Sequence, residues 1–446
     1  MSHRSLAFAL LGLAALLLAS ACREEPASRS VMTGSTNATP RNLGARELAL
    51  ARVGGGGEVA EEIARLQNEL RLRPAQGPRW ERLGWLFVAH ARRTRDEGFY
   101  AQAEACARCL AEIAEHAPDA LLLRGHVAFA RHEFAGALAL ADELCAQRGR
   151  AFDHGLRGDS LLELGRLDEA ASAYQRMLDE KPCLQSYARA GILCAQRGEM
   201  ARALELLEMA CKAASPRDAE AAAWAYGEWA RHLAWNGENE RALRTLEIAD
   251  SYLAGHAPNA LLRARLLAAR GDAELALSQV RRALASEESV EARWLLADLL
   301  RARGDEAAAR AEEAKLIAPA SAHLDKRALA FFLATRGSDH ERAIELARAE
   351  LATRDGALAR AALQLALRRS GRAAELAAEL AQESVSEACD PRVQLVQALV
   401  QPDPERRAAH LVCAERGASV LQSSERALLL SARAALPPSQ LSGALR

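Results

Sequence analysis

Cys106 and Cys109, in the stretch CARC, are the residues of this chain whose types and spacing most invite chemistry. A CxxC pair can exchange disulfides or hold a metal. Each use needs a setting. A thioredoxin-like site needs a strand–helix–strand unit, and attachment of a c-type haem needs a histidine directly after the second cysteine. Leu110 stands there instead, and the surrounding pattern is helical. Zinc would need two more ligands, for which His116 and Cys145 are candidates. Three residues apart on a helix, the two thiols share one face, where small apolar thiols also serve as ordinary core. A metal- or redox-active accessory protein built on Cys106 and Cys109 is therefore the second reading of the chain.

Other catalytic patterns are missing. There is no H-E-x-x-H, no G-x-S-x-G and no P-loop, since the glycine run Gly54–Gly57 lacks a following Lys-Ser/Thr. His154 and His232 lie among apolar neighbours, as packed histidines do. The chain holds 58 Lys plus Arg against 59 Asp plus Glu, a balance that gives nucleic acid no basic footprint. The expectation is a protein that is not an enzyme, with no cofactor, no small-molecule substrate and no nucleic-acid partner.

Of the nine cysteines, Cys22 comes first in the chain. Cys22 follows the uncharged run Leu6–Leu18 and the small residues Ala19–Ala21, the build of an export signal. The run is short for a membrane span, which needs roughly 20 apolar residues. The segment resembles a bacterial lipobox, with Ala19 where Leu is usual; that resemblance implies acylation of Cys22. Residues 23–42 are rich in Ser, Thr, Pro and Asn and read as a tether. Arg23 after the cysteine, by the same resemblance, implies an outer-membrane lipoprotein facing the periplasm, with a soluble periplasmic protein as the alternative.

The elements that must position these residues come from a repeat. Gly165, Gly198, Gly237, Gly271, Gly304, Gly337 and Gly371 are separated by 33, 39, 34, 33, 33 and 34 residues. Five residues after most of them stands an alanine (Ala170, Ala203, Ala242, Ala276, Ala309), and seven before stands Gly158, Gly191, Ala230, Ala264, Ala297 or Ala330. His132 takes the glycine's place in an earlier unit. Each unit reads as a helical hairpin: helix A stops at the glycine, and the small residues let helices A and B approach closely. Trp80, Leu83, Gly84 and Phe87 complete a W-x2-L-G-x2-F pattern.

Period and pattern resemble the tetratricopeptide repeat. The stretch from Arg150 to Gly191 is also similar to exported bacterial lipoproteins of this class, a likeness that names no activity. The resemblance implies an all-α fold, a right-handed superhelical solenoid of antiparallel helix pairs, with a concave face that grips a protein or peptide. The expected organisation is a signal peptide (1–21), tether and glycine hinge (22–57), capping helix (58–77), about nine repeats (78–388), and a degenerate C-terminal cap and tail (389–446).

Register then places Trp85, His126, Phe129, Phe152, Asp159, Trp224, Arg231, Trp235, Arg265, Trp294, Asp298, Arg301 and Phe331 on the inward side of the A helices. Trp and Arg are what binding hot spots favour. Cys183 precedes helix A of one unit and Cys211 ends its helix B, so antiparallel packing makes them the candidate disulfide. The leading reading is a membrane-tethered scaffold, its membrane contact limited to the lipid anchor.

Overall fold

The computed structural model describes residues 44–54, 57–94, 96–318, 325–382 and 388–436. The signal segment, Cys22 and the tether lie outside these residues, as does the tail. The chain divides into two compact units, Met1–Arg157 and Gly158–Arg446. Every regular element among the described residues is a helix.

Unit 1 holds α1 (Ala45–Ala49), α2 (Glu58–Leu72), α3 (Gly77–Thr94), α4 (Gly98–Ala111), α5 (Ala117–Ala130) and α6 (Phe134–Gln147). Helix α7 (Ala151–Glu163) runs across the division. Unit 2 continues with α8 (Leu167–Glu180), α9 (Leu184–Gln196), α10 (Met200–Lys212), α11 (Ala219–Trp235), α12 (Asn239–Tyr252), α13 (Ala257–Arg270) and α14 (Ala273–Ser286). Next come α15 (Val290–Ala302), α16 (Glu306–Ile317), α17 (Lys326–Arg336), α18 (His340–Leu351), α19 (Ala357–Arg369) and α20 (Ala373–Gln382). The chain closes with α21 (Pro391–Val400), α22 (Pro404–Arg416) and α23 (Ser423–Ala434). From α3 onward the odd helices are A helices and the even ones their B partners.

The turn between A and B is the same device throughout. All seven marker glycines are left-handed, with φ from 70° at Gly337 to 96° at Gly271. The amide after six of them reaches back to a carbonyl five residues earlier, as in Glu238 N to Leu233 O at 2.8 Å and Asp272 N to Leu267 O at 2.9 Å. This is the Schellman helix stop. His132 makes the same stop at φ 61°, with Glu133 N on Ala128 O at 2.9 Å. It is the single non-glycine with positive φ among the described residues, a conformation that costs an L-residue about 1–2 kcal/mol.

Close approach explains the small residues. A Cβ on Gly158 would stand 2.3 Å from Cε1 of Tyr174 on α8. Ala170, Ala203, Ala242, Ala276 and Ala309 are all fully buried. In unit 1, Ile63, Leu66 and Leu70 of α2 pack on Trp80, Leu83 and Phe87 of α3 and on Cys106 and Leu110 of α4.

Within unit 2 the chain returns on itself. Asp355 N, before α19, donates to Glu163 O at the end of α7 (3.0 Å). Cys389 N, before α21, donates to Ala195 O of α9 (2.8 Å). Gly417 leaves no room for a Cβ beside Trp235 O of α11 (3.0 Å), and Ser419 Oγ donates to Asn239 Oδ1 (2.7 Å). The first two contacts join the chain entering an A helix to the A helix six pairs earlier, α19 to α7 and α21 to α9; the third brings the turn between α22 and α23 to the end of α11 and the start of α12. The segment expected to cap the end of the array thus also touches α9 and α11, within the array.

Candidate partner-binding face

The A-helix residues singled out by register fall into three settings. In unit 1, Trp85 on α3 and His126 on α5 meet edge to face at 5.0 Å, and Phe129 meets Phe134 edge to face at 5.2 Å. Trp85, His126, Phe129 and Phe152 are all partly buried, so each keeps some open surface. Beside them, burial pushes the Glu81 carboxyl up, and the neighbouring Asp119 carboxylate adds to that. Asp119 in turn accepts from Arg148, which forks onto the fully buried Asp153 with both bonds at 3.0 Å.

The second setting is the first half of unit 2. Asp159 takes a bidentate grip from Arg189 (2.8 and 2.8 Å) and a hydrogen bond from the Tyr174 hydroxyl (2.8 Å). Its charge is spoken for inside the fold. On α11, Trp224, Glu228, Arg231 and Trp235 recur at helical spacing along one side. Trp224 and Trp235 are half-buried, and the Arg231 side chain keeps 39% of its surface while pairing with Glu228 at 3.1 Å. Around them stand Tyr226, stacked on Tyr252 at 5.6 Å, and Trp229, with Arg241 5.0 Å over its ring. Trp235 lies against His232 at 4.6 Å; burial lowers the affinity of that imidazole for a proton, and its Nδ1 is 2.7 Å from Glu228 O.

The third setting corrects the expectation of an open groove. Trp294 and Phe331 are 0% and 1% exposed, and Asp298 is 5% exposed. They are covered by the chain's own last helices. Trp294 Nε1 donates to Ser424 Oγ (3.1 Å) at the start of α23, and Ser424 N donates to Asp298 Oδ2 (3.4 Å). Arg392 of α21 bridges Glu291 (2.8 Å) and Glu425, with its guanidinium 5.2 Å over Phe331 and 5.8 Å over Trp294. Arg265 donates to the other oxygen of Glu291 (2.8 Å). Arg301 joins Glu313 (2.9 Å), which also meets Arg336, itself bonded to Asp298. Here aromatic rings and arginines lie on A helices as register says, but they bind this chain.

Electrostatics follow from that enclosure. Burial alone would raise the Glu291 carboxyl; the guanidinium groups of Arg265 and Arg392 overcome it and hold the group well below the usual carboxylate range. At Asp298 burial wins over Arg336, and the carboxyl is pushed up. Sequence reasoning missed Arg392, Gln422, Ser424 and Glu425. A signal existed: PRVQLVQALV carries a charge and two amides inside an apolar run, and all of α21 but Leu399 is buried. A helix covered all round needs partners on every side.

The cysteines sit apart from this face. Cys106 and Cys109 are buried in α4, where burial pushes the first thiol well up and the second to about 11. Protonated thiols are poor ligands and poor nucleophiles. No group of three or more His, Cys, Asp or Glu gathers at metal-binding distance among the described residues. Cys183 and Cys211 are both free thiols; Cys183 lies at the N-cap of α9, its amide held by the Ser186 hydroxyl at 2.9 Å, and Cys211 is buried at the end of α10.

Residues 156–219 and 261–323 match the family model described as tetratricopeptide repeat. These segments are tetratricopeptide repeats. Among solved structures, the chain is similar to a tetratricopeptide repeat protein from Parabacteroides merdae at 14% identity, covering 64% of this chain and 98% of that one, with a TM-score of 0.37. It is similar to yeast Tom70 at 12% identity, covering 84% and 95%, with a TM-score of 0.35. YrrB, described as a tetratricopeptide protein with an unusual peptide-binding site, matches at 16% identity over 44% and 96%, with a TM-score of 0.27. No curated protein sequence matches. No helix among the described residues is long and apolar enough to cross a membrane.

Proposed function

We propose that this protein is a non-enzymatic scaffold of the bacterial envelope that captures a segment of a protein partner on the A-helix side of α11. One observation carries the reading. Trp224 and Arg231, two turns apart on one side of α11, stay partly open, whereas Trp294 and Asp298 of α15 are enclosed. Trp supplies large area at low entropy cost, and a guanidinium selects a carboxylate in a bidentate geometry. The partner is therefore a peptide segment pairing an apolar side chain with a carboxylate. Trp224→Ala with Arg231→Ala is expected to weaken capture of envelope proteins at least roughly ten-fold, with far-UV helicity native. Undiminished capture rules the α11 face out.

Acylation at Cys22 would tether the scaffold, and the outer membrane facing the periplasm is its proposed address. Cys22→Ser is expected to move the protein from the membrane fraction to the soluble periplasmic fraction. Retention in the membrane fraction rules out a lipid anchor at that residue.

A further inference from the structure

The start of α23 is bound as a ligand is bound. Ser424 offers its hydroxyl to the Trp294 indole and its amide to Asp298. Gln422 Nε2 donates to Glu291 O at 3.0 Å, and Glu425, 1% exposed, receives the Arg392 fork. We infer that the face formed by Trp294, Asp298, Glu291 and Arg392 is a receptor for the first turn of a helix carrying Ser-Glu, and that α23 is its reversible occupant in cis. Two further features support reversibility. Beyond Glu425 the buried stripe of α23 is only Leu429 and Ala432, continued by Leu436, with the partly buried Leu428 beside them. Its first turn is held by polar contacts that water can replace, and an element with few buried apolar side chains opens at low free-energy cost. The fit is also imperfect, since Gln422 Oε1, Arg265 Nε and Thr335 Oγ1 are buried without a hydrogen-bond partner. Release of α23 would uncover the Trp294 indole and the Arg392 guanidinium, a second docking surface independent of α11.

The test uses the full chain, wild type and Glu425→Gln, with hydrogen exchange read by mass spectrometry. A fluorescent synthetic peptide spanning Val420–Leu436 serves as probe. In the wild type, α23 amides should exchange roughly ten-fold faster than those of α13 and α14. Glu425→Gln should speed α23 further, leave α13 and α14 unchanged, and let the peptide bind roughly ten-fold more tightly than to wild type, because the face is more often vacant. Ser424→Ala, which removes the Trp294 contact, gives the same readout should Glu425→Gln fail to fold. Exchange of α23 in step with α13 and α14 in every variant overturns the inference. Equal peptide binding to wild type and variants, no peptide binding, or a concentration-dependent dimer that trades α23 between copies does so too.

Discussion

Helices α11 and α15 are built from one repeat yet end in opposite conditions. Both are A helices of unit 2, both carry Trp on the predicted inward side, and each pairs with a B helix through small residues. On α11, Trp224 stays half-open and Arg231 meets only partial cover. On α15, Trp294 is sealed under Ser424 and Arg392. What separates them is which later segment lies against each. The returning chain reaches α11 at its C-terminal end, through Gly417, but meets α15 along its inward side, through Gln422, Ser424 and Arg392. A tryptophan stays half-open on one and is core on the other.

Trp294→Ala should break the contrast most severely. Removing a fully buried Trp costs about 3–5 kcal/mol, whereas Trp224→Ala, from a half-open site, should cost about 1–2 kcal/mol on area alone. Urea unfolding of both variants checks this; equal losses would erase the distinction. Glu291 comes next. Its carboxyl ionises more readily folded than unfolded, so its stabilisation is full above the ordinary value of 4.5 and is lost as pH falls below it. Glu291→Gln should cost about 1.5–3 kcal/mol at neutral pH and flatten the loss of stability in acid. Asp298 has the opposite sign: it binds its proton more tightly when folded, so Asp298→Asn should be milder at neutral pH and steepen the acid loss. Thermal melts from pH 7 to pH 3 read both slopes. Breaking the half-buried pair Arg231–Glu228 on α11 by Arg231→Ala should cost about 1–1.5 kcal/mol.

The smallest effect belongs to the repeat grammar. His132→Gly relieves a left-handed residue but loses the ring stacked at 5.6 Å on Phe134. A net gain of up to about 1 kcal/mol is expected, visible as a raised Tm. A loss would mean that the His132 ring does more than fill a glycine's place.

How much was legible varies residue by residue. Gly158, Gly165 and His132 could be assigned a job from spacing alone, because their constraint is local: a left-handed turn, or a Cβ that would strike Tyr174. Register puts Trp294 and Asp298 on the inward side of α15, but what covers them, Ser424, lies more than a hundred residues away. No periodicity of one helix announces that. The continuous apolar run of α17, ALAFFLAT, with every residue buried, was the nearest hint.

The amino-acid sequence by itself determined the hairpin: period, helix stops and the small residues that set how closely A and B approach. These are contacts within one unit or between neighbours, and each repeat states them again. Only the tertiary structure decided that the array meets itself after six pairs and that its own last helix covers α15. That outcome sums many small rotations between successive pairs, each set by side-chain packing too fine to read from residue type. Whether an A-helix face is left for a partner is decided by that sum.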